Sequence, residues 1–136
     1  MTKVVGIIGG MGPLATVKLF ENIVLLTDAK KDQEHLHILV DNNTLIPDRT
    51  DYILNKDAED PRSKLIESAR RLQLAGADFL IMPCNTAHNF YNDIVKNIEI
   101  PFLNMIEETA KYIKEKHPEK GKIGLLATDG TIKAKV

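Results

Sequence analysis

The chain has no tryptophan, and phenylalanine and tyrosine together reach only 5% of its residues. Proteins that hold single-stranded nucleic acid stack bases on aromatic side chains, and this composition argues against such a role. The net charge is −1, so the basic excess that nucleic acid or an anionic membrane surface would require is missing. No apolar run approaches the roughly 20 residues of a membrane-spanning helix. The opening Met1-Thr2-Lys3-Val4-Val5-Gly6 runs straight into an apolar strand pattern and lacks the layout of a signal peptide. There is one cysteine, Cys84, which excludes an intrachain disulfide and fits a reducing compartment. These absences predict a cytoplasmic protein with no nucleic-acid or membrane partner.

What remains is ordinary for a soluble domain. The 136 residues suffice to bury a core, and 43% hydrophobic with 27% charged residues fit a globular chain. Strand and helix patterns alternate. Lys3 to Gly9 reads as a buried strand, and Leu14 to Thr27 as a helix with apolar residues at Leu14, Val17, Phe20, Ile23 and Val24. Pro13 suits the first turn of that helix. His37 to Asp41 is a second strand. Asn42 to Asp60 reads as loop, with one helical turn near Tyr52 to Asn55. Pro61 to Gly76 is a helix with proline at its start and glycine at its end. Strands are expected at Phe79 to Met82, Pro101 to Asn104 and Lys122 to Ala127. Helices are expected at Ala87 to Asn97, at Ile106 to Lys116 and from Thr131 onward. This alternation predicts an α/β fold, a parallel sheet flanked by helices on both faces in the Rossmann-like or flavodoxin-like manner.

Ligands of such sheets bind beyond the carboxyl ends of the strands. Those ends read Gly9-Gly10-Met11-Gly12, Asp41-Asn42-Asn43-Thr44, Pro83-Cys84-Asn85-Thr86, Asn104-Met105 and Ala127-Thr128-Asp129-Gly130. All are small, polar or reactive, as an active-site rim would be. Cys84 is the most informative of them. A thiol between a strand exit and a helix start meets unpaired backbone N–H groups and the positive end of a helix dipole. That setting favours a thiolate, although a free cysteine is also often a buried structural residue. A papain-like pairing of Cys84 with His88 is possible on paper, but no third, orienting group is evident. No arginine follows within the next helical turn, which disfavours a phosphatase.

Gly10-Met11-Gly12-Pro13-Leu14-Ala15 formally matches the G-x-G-x-x-A dinucleotide fingerprint. Pro13 removes one N–H from any phosphate cradle, and Asp41 lies too far along the chain to serve as the ribose acid. A tight turn beside a small anion or substrate is the better reading. Arg49, in Ile46-Pro47-Asp48-Arg49-Thr50, is able to grip a carboxylate bidentately, or else is a solvated charge pairing with Asp48 or Asp51. His35 and His37 lack a third ligand and read as surface residues rather than a metal site. Lys114-Glu115-Lys116 reads as the solvated end of a helix.

Taken in order, Gly9-Gly10-Met11-Gly12-Pro13-Leu14-Ala15-Thr16, Ile46-Pro47-Asp48-Arg49-Thr50, Pro83-Cys84-Asn85-Thr86-Ala87-His88 and Gly124-Leu125-Leu126-Ala127-Thr128 resemble the aspartate racemase branch of the aspartate/glutamate racemases. The resemblance runs along the whole chain. It implies a cofactor-independent racemase of two similar α/β lobes, with a cysteine from each lobe on opposite sides of the substrate Cα. By resemblance, Cys84 is the first of that pair. Asn85 and Thr86 contact the α-amino-acid end, Arg49 holds the side-chain carboxylate, and Met11, Gly12 and Thr128 line the pocket. The implied partner is aspartate or a similar acidic amino acid.

The same resemblance implies that residues 1–120 form the first lobe and 121–136 begin the second, whose remainder, with its cysteine, is missing. A truncated two-thiol site predicts little racemase activity for these 136 residues alone. An apolar lobe-facing surface predicts self-association, as a dimer. Two other readings compete: a non-catalytic domain binding an amino acid or carboxylate, and a nucleotide-binding domain built on the Gly10 turn.

Overall fold

A computed structural model describes residues 3–55, 57–119 and 121–136. Met1 and Thr2, which lead into the first predicted strand, and Lys120, at the predicted lobe boundary, lie outside the described residues. Val4–Gly9 forms β1, the centre of a three-stranded parallel sheet in the order β2-β1-β3. Its neighbours are β2, His37–Asn42, paired from Val4↔His37 to Gly9↔Asn42, and β3, Phe79–Ile81, paired from Val5↔Phe79 to Ile7↔Ile81. The helices are α1 (Pro13–Leu26), α2 (Arg49–Leu54), α3 (Arg62–Leu74), α4 (Tyr91–Val95), α5 (Met105–Lys116) and α6 (Asp129–Ala134).

The core forms where α3 and α4 meet the sheet. Leu65, Ala69 and Leu72 of α3 pack with Ile8, Leu80, Met82, Phe90, Ile94 and Phe102. Leu65, Leu80 and Ile94 are completely buried, each worth roughly 1.5–3 kcal/mol of apolar burial. The other side is thinly covered. The apolar stripe of α1 stands in solvent, with Leu14, Val17 and Phe20 all exposed, and only Thr16 of that helix is buried. Helical periodicity therefore located α1 but not a partner for its apolar face.

Several predicted elements change character. The continuous helix expected over Ala87 to Asn97 is a 3₁₀ turn, Thr86–Phe90, followed by α4. Ala87 and Phe90 are drawn into the core, and Phe90 leaves helical geometry at φ −102° and ψ 10°. Cys84 therefore precedes two short elements rather than one long dipole, which weakens the dipole argument made from its position. The strand expected at Pro101 to Asn104 reduces to one bridge, Leu80↔Phe102. Pro101 has no N–H for a ladder, and Asn104 turns away to cap α5 with its side-chain oxygen. Residues 122–127 form no strand; Ile123, Leu125 and Leu126 are exposed, and no described strand offers them a ladder. In the long loop, α2 begins three residues earlier than expected because the Asp48 carboxylate caps it, accepting from Asp51 N–H at 2.7 Å.

Candidate active site

The exits of β1 and β3 converge with the starts of α2 and α6, while the predicted exits Asp41 to Thr44 and Asn104-Met105 do not line the shared cavity. A cavity of about 550 Å³ is lined by Met11 after β1, Asp48, Arg49 and Thr50 at the start of α2, Pro83 to Thr86 after β3, and Leu126, Ala127, Thr128 and Thr131 around the start of α6. Six of the seven residues expected at the site share this cavity: Met11, Arg49, Cys84, Asn85, Thr86 and Thr128. Gly12 stands outside the lining, exposed, and caps α1, where its carbonyl accepts from Ala15 and Thr16 N–H.

The Gly10 turn holds its place by backbone contact. Gly10 has φ +95°, and a Cβ there would collide with the backbone of Asn43. Its N–H donates to Thr16 Oγ1 at 3.0 Å, so it is spent within the protein instead of facing a pyrophosphate. This geometry removes the main support for the nucleotide reading.

Arg49 is not a solvated charge. One nitrogen, Nη1, donates to the carbonyls of Ile46 at 3.2 Å and Pro47 at 2.9 Å, and neither Asp48 nor Asp51 forms an ion pair with it. The Nε–H is buried and finds no acceptor among the described residues. A buried unsatisfied donor costs about 1–3 kcal/mol, so it calls for an explanation. The Nε and Nη2 edge of a guanidinium offers two parallel N–H groups matched to a carboxylate.

Three hydroxyls join the loop after β3 to α6. Thr86 Oγ1 lies 2.8 Å from both Thr128 Oγ1 and Thr131 Oγ1, which are 3.0 Å apart. Thr128 also caps α6, accepting from Thr131 N–H at 3.2 Å. Gly130 lets α6 come this close: a Cβ there would lie 2.7 Å from Thr50 Oγ1 and 2.9 Å from Thr50 Cα. Sequence reasoning missed Thr131 and Asp48. The one signal for Thr131 was its spacing from Thr128, three residues on at a helix start.

Cys84 is half-buried and free. His88 does not act on its thiol. The imidazole Nε2 faces Met105 N–H at 3.1 Å and must accept, so Nδ1 carries the proton and donates to the Cys84 carbonyl at 2.7 Å. Burial pushes the His88 pKa below its ordinary 6.5, against the opposing pull of the Cys84 carbonyl. With both ring nitrogens engaged by backbone, the papain-like pair is ruled out in this geometry. His37 is exposed, whereas His35 is half-buried outside β2 with an unpartnered Nδ1. The surface reading therefore holds for His37, while His35 is partly buried.

No helix among the described residues is long and apolar enough to cross a membrane. The family model for Asp/Glu/hydantoin racemases matches residues 8–136. The broad specificity amino-acid racemase RacX of Bacillus subtilis is 32% identical over 97% of this chain. The structure of the Picrophilus torridus aspartate racemase superposes over 98% of the chain with a TM-score of 0.89 and 37% identity. That of an aspartate racemase homologue from Pyrococcus horikoshii covers 86% of the chain and 50% of its own, at 0.70 and 23%, a likeness of fold. The chain spans 57% of the Bacillus protein and 56% of the Picrophilus one.

Proposed function

The chain belongs to the Asp/Glu/hydantoin racemase family, and from that premise we propose that it carries one half of a cofactor-independent racemase site for an acidic amino acid, aspartate. In this reading the Cys84 thiolate removes the Cα proton. Arg49 holds the side-chain carboxylate, Asn85 and Thr86 meet the α-amino-acid end, and Met11 and Thr128 frame the substrate. The observation that carries the proposal is that Arg49, whose buried Nε–H has no partner among the described residues, lines the same cavity as Cys84. A cation with an unpaired N–H, lining one cavity with a thiol, suits a substrate that has a carboxylate and a weakly acidic C–H.

Residues 1–120 are the first lobe in this reading and 121–136 open the second. Self-association through exposed apolar surface, as a dimer, belongs to the same proposal. Cys84 is the only cysteine of the 136 residues. One thiol that removes a proton returns it to the same face, so these residues alone exchange the Cα proton without inverting the centre.

The test incubates each enantiomer of aspartate with the protein in D₂O, followed by proton NMR and chiral chromatography. The expected result is loss of the Cα–H signal from one enantiomer with configuration retained, abolished by Cys84→Ser. Sustained D/L interconversion would overturn the single-thiol account. Binding of aspartate without exchange would favour the non-catalytic carboxylate-binding reading.

A further inference from the structure

We propose that His88 is a positioning residue for Cys84: its imidazole holds the Cys84–Asn85 peptide in one orientation against the start of α5, and so sets where the thiol stands relative to Arg49. The inference rests on the reading of Cys84 and Arg49 as one site. Residues 82–84 lie outside any strand or helix, and Pro83 brings no N–H. Among the described residues, the bond from His88 Nδ1–H to the carbonyl is the hydrogen bond that reaches Cys84. Because a peptide unit is planar, fixing that carbonyl also fixes the Asn85 N–H and the Cα atoms on either side, from one of which the thiol hangs.

The imidazole is itself firmly held. It is 6% exposed. Its ring stacks on Tyr91, with centroids 6.3 Å apart and planes at 9°, and meets Phe102 at 5.9 Å. Its Nε2 is tied to Met105 N–H, at the first residue of α5. The backbone N–H of His88 closes the following turn on the Asn85 carbonyl at 3.0 Å. Orientation thus passes from α4 and α5 through one ring to the peptide that carries the thiol.

The test compares alkylation of Cys84 by iodoacetate and by iodoacetamide. Each is attacked by the thiolate sulfur, forming an S–C bond and releasing iodide, but only iodoacetate has a carboxylate for Arg49. The ratio of the two rates, referred to that of the urea-unfolded chain, reports thiol placement and is insensitive to a uniform loss of stability. The variants are His88→Asn, which keeps a donor near the Nδ1 position, His88→Gln, which puts its amide near the Nε2 position, and His88→Phe, which keeps ring packing alone.

We expect wild type to prefer iodoacetate, His88→Asn to retain the preference, and His88→Gln and His88→Phe to lose it by about tenfold, the scale of one charge-assisted contact. If all variants keep the preference, or if Asn loses it along with the others, His88 is not the positioning residue. Should His88→Phe fail to melt cooperatively, the contrast between Asn and Gln decides. If wild type shows no preference, the shared Cys84–Arg49 site fails, and this inference with it.

Discussion

Replacing Arg49 by methionine separates what this side chain does for the fold from what it does for a ligand. Methionine keeps an unbranched stem of similar reach. The variant loses two bonds from a charged donor, to the Ile46 and Pro47 carbonyls, each worth about 1.5–3 kcal/mol. It also removes a buried N–H without an acceptor, relieving about 1–3 kcal/mol. The lost bonds outweigh that relief by about 2 kcal/mol, so the ligand-free melting temperature should fall by roughly 7 °C. The ligand response should move a great deal. At a concentration of aspartate about 100-fold above its Kd, wild type gains roughly 2.7 kcal/mol, or roughly 9 °C for a chain of this size. Losing a charge-assisted pair of about 3 kcal/mol weakens binding ~140-fold. The same aspartate then contributes only about 0.3 kcal/mol, a shift of about 1 °C. Differential scanning calorimetry with and without aspartate reads both quantities. An Arg49→Met protein that keeps the wild-type ligand shift would refute the assignment of this guanidinium to a carboxylate.

Other outcomes follow from the packing and the electrostatics. Leu80→Ala, at a completely buried position between β1 and the Phe102 bridge, should cost about 2–5 kcal/mol, read as a lower urea midpoint. Gly130→Ala places a Cβ against the backbone of Thr50 and should cost about 1–3 kcal/mol while loosening the three-hydroxyl cluster, seen as faster amide exchange in α6. His88 is neutral in the fold, with its pKa held below 6.5 by burial. The unfolded chain therefore binds the proton first, and this part of the stability is fully present above pH 6.5 and is lost as pH falls through the lower folded value. The slope from this one group is at most about 1.4 kcal/mol per pH unit. Urea melts between pH 7 and 5 should show it in wild type and not in His88→Phe.

Much of this was legible along the chain. The three described strands and five of the six helices fall close to their predicted places, because apolar period, proline and helix caps are local signals. The exits of β1 and β3 marked part of the cavity, because a parallel sheet sends its strands the same way, but the exit of β2 does not line it. Arg49 could be named as a candidate but not chosen over a solvated charge. Its place on a cavity lined by four separated segments, and its unpartnered Nε–H, are settled only in the folded chain. Thr131 was missed for the same reason, since its hydroxyl matters through Thr86, 45 residues earlier.

The changes in secondary structure have related causes. Pro101 to Asn104 had strand composition, but a ladder needs N–H groups and a free neighbour, and only the Pro101 carbonyl and the Leu103 N–H find one, both on Leu80. The helix after Cys84 had helical composition, but burying Ala87, His88 and Phe90 together tightened its first turn. Residue order alone determined an α/β chain with one cysteine at the exit of its third strand, since covalent sequence fixes chain direction, periodicity and the inventory of reactive groups. The tertiary structure decided which groups were already satisfied. It turned His88 from a possible base into a clamp on a carbonyl, and Arg49 from a loop charge into a cation with one unpartnered donor, because hydrogen-bond partnership is settled only when distant segments meet.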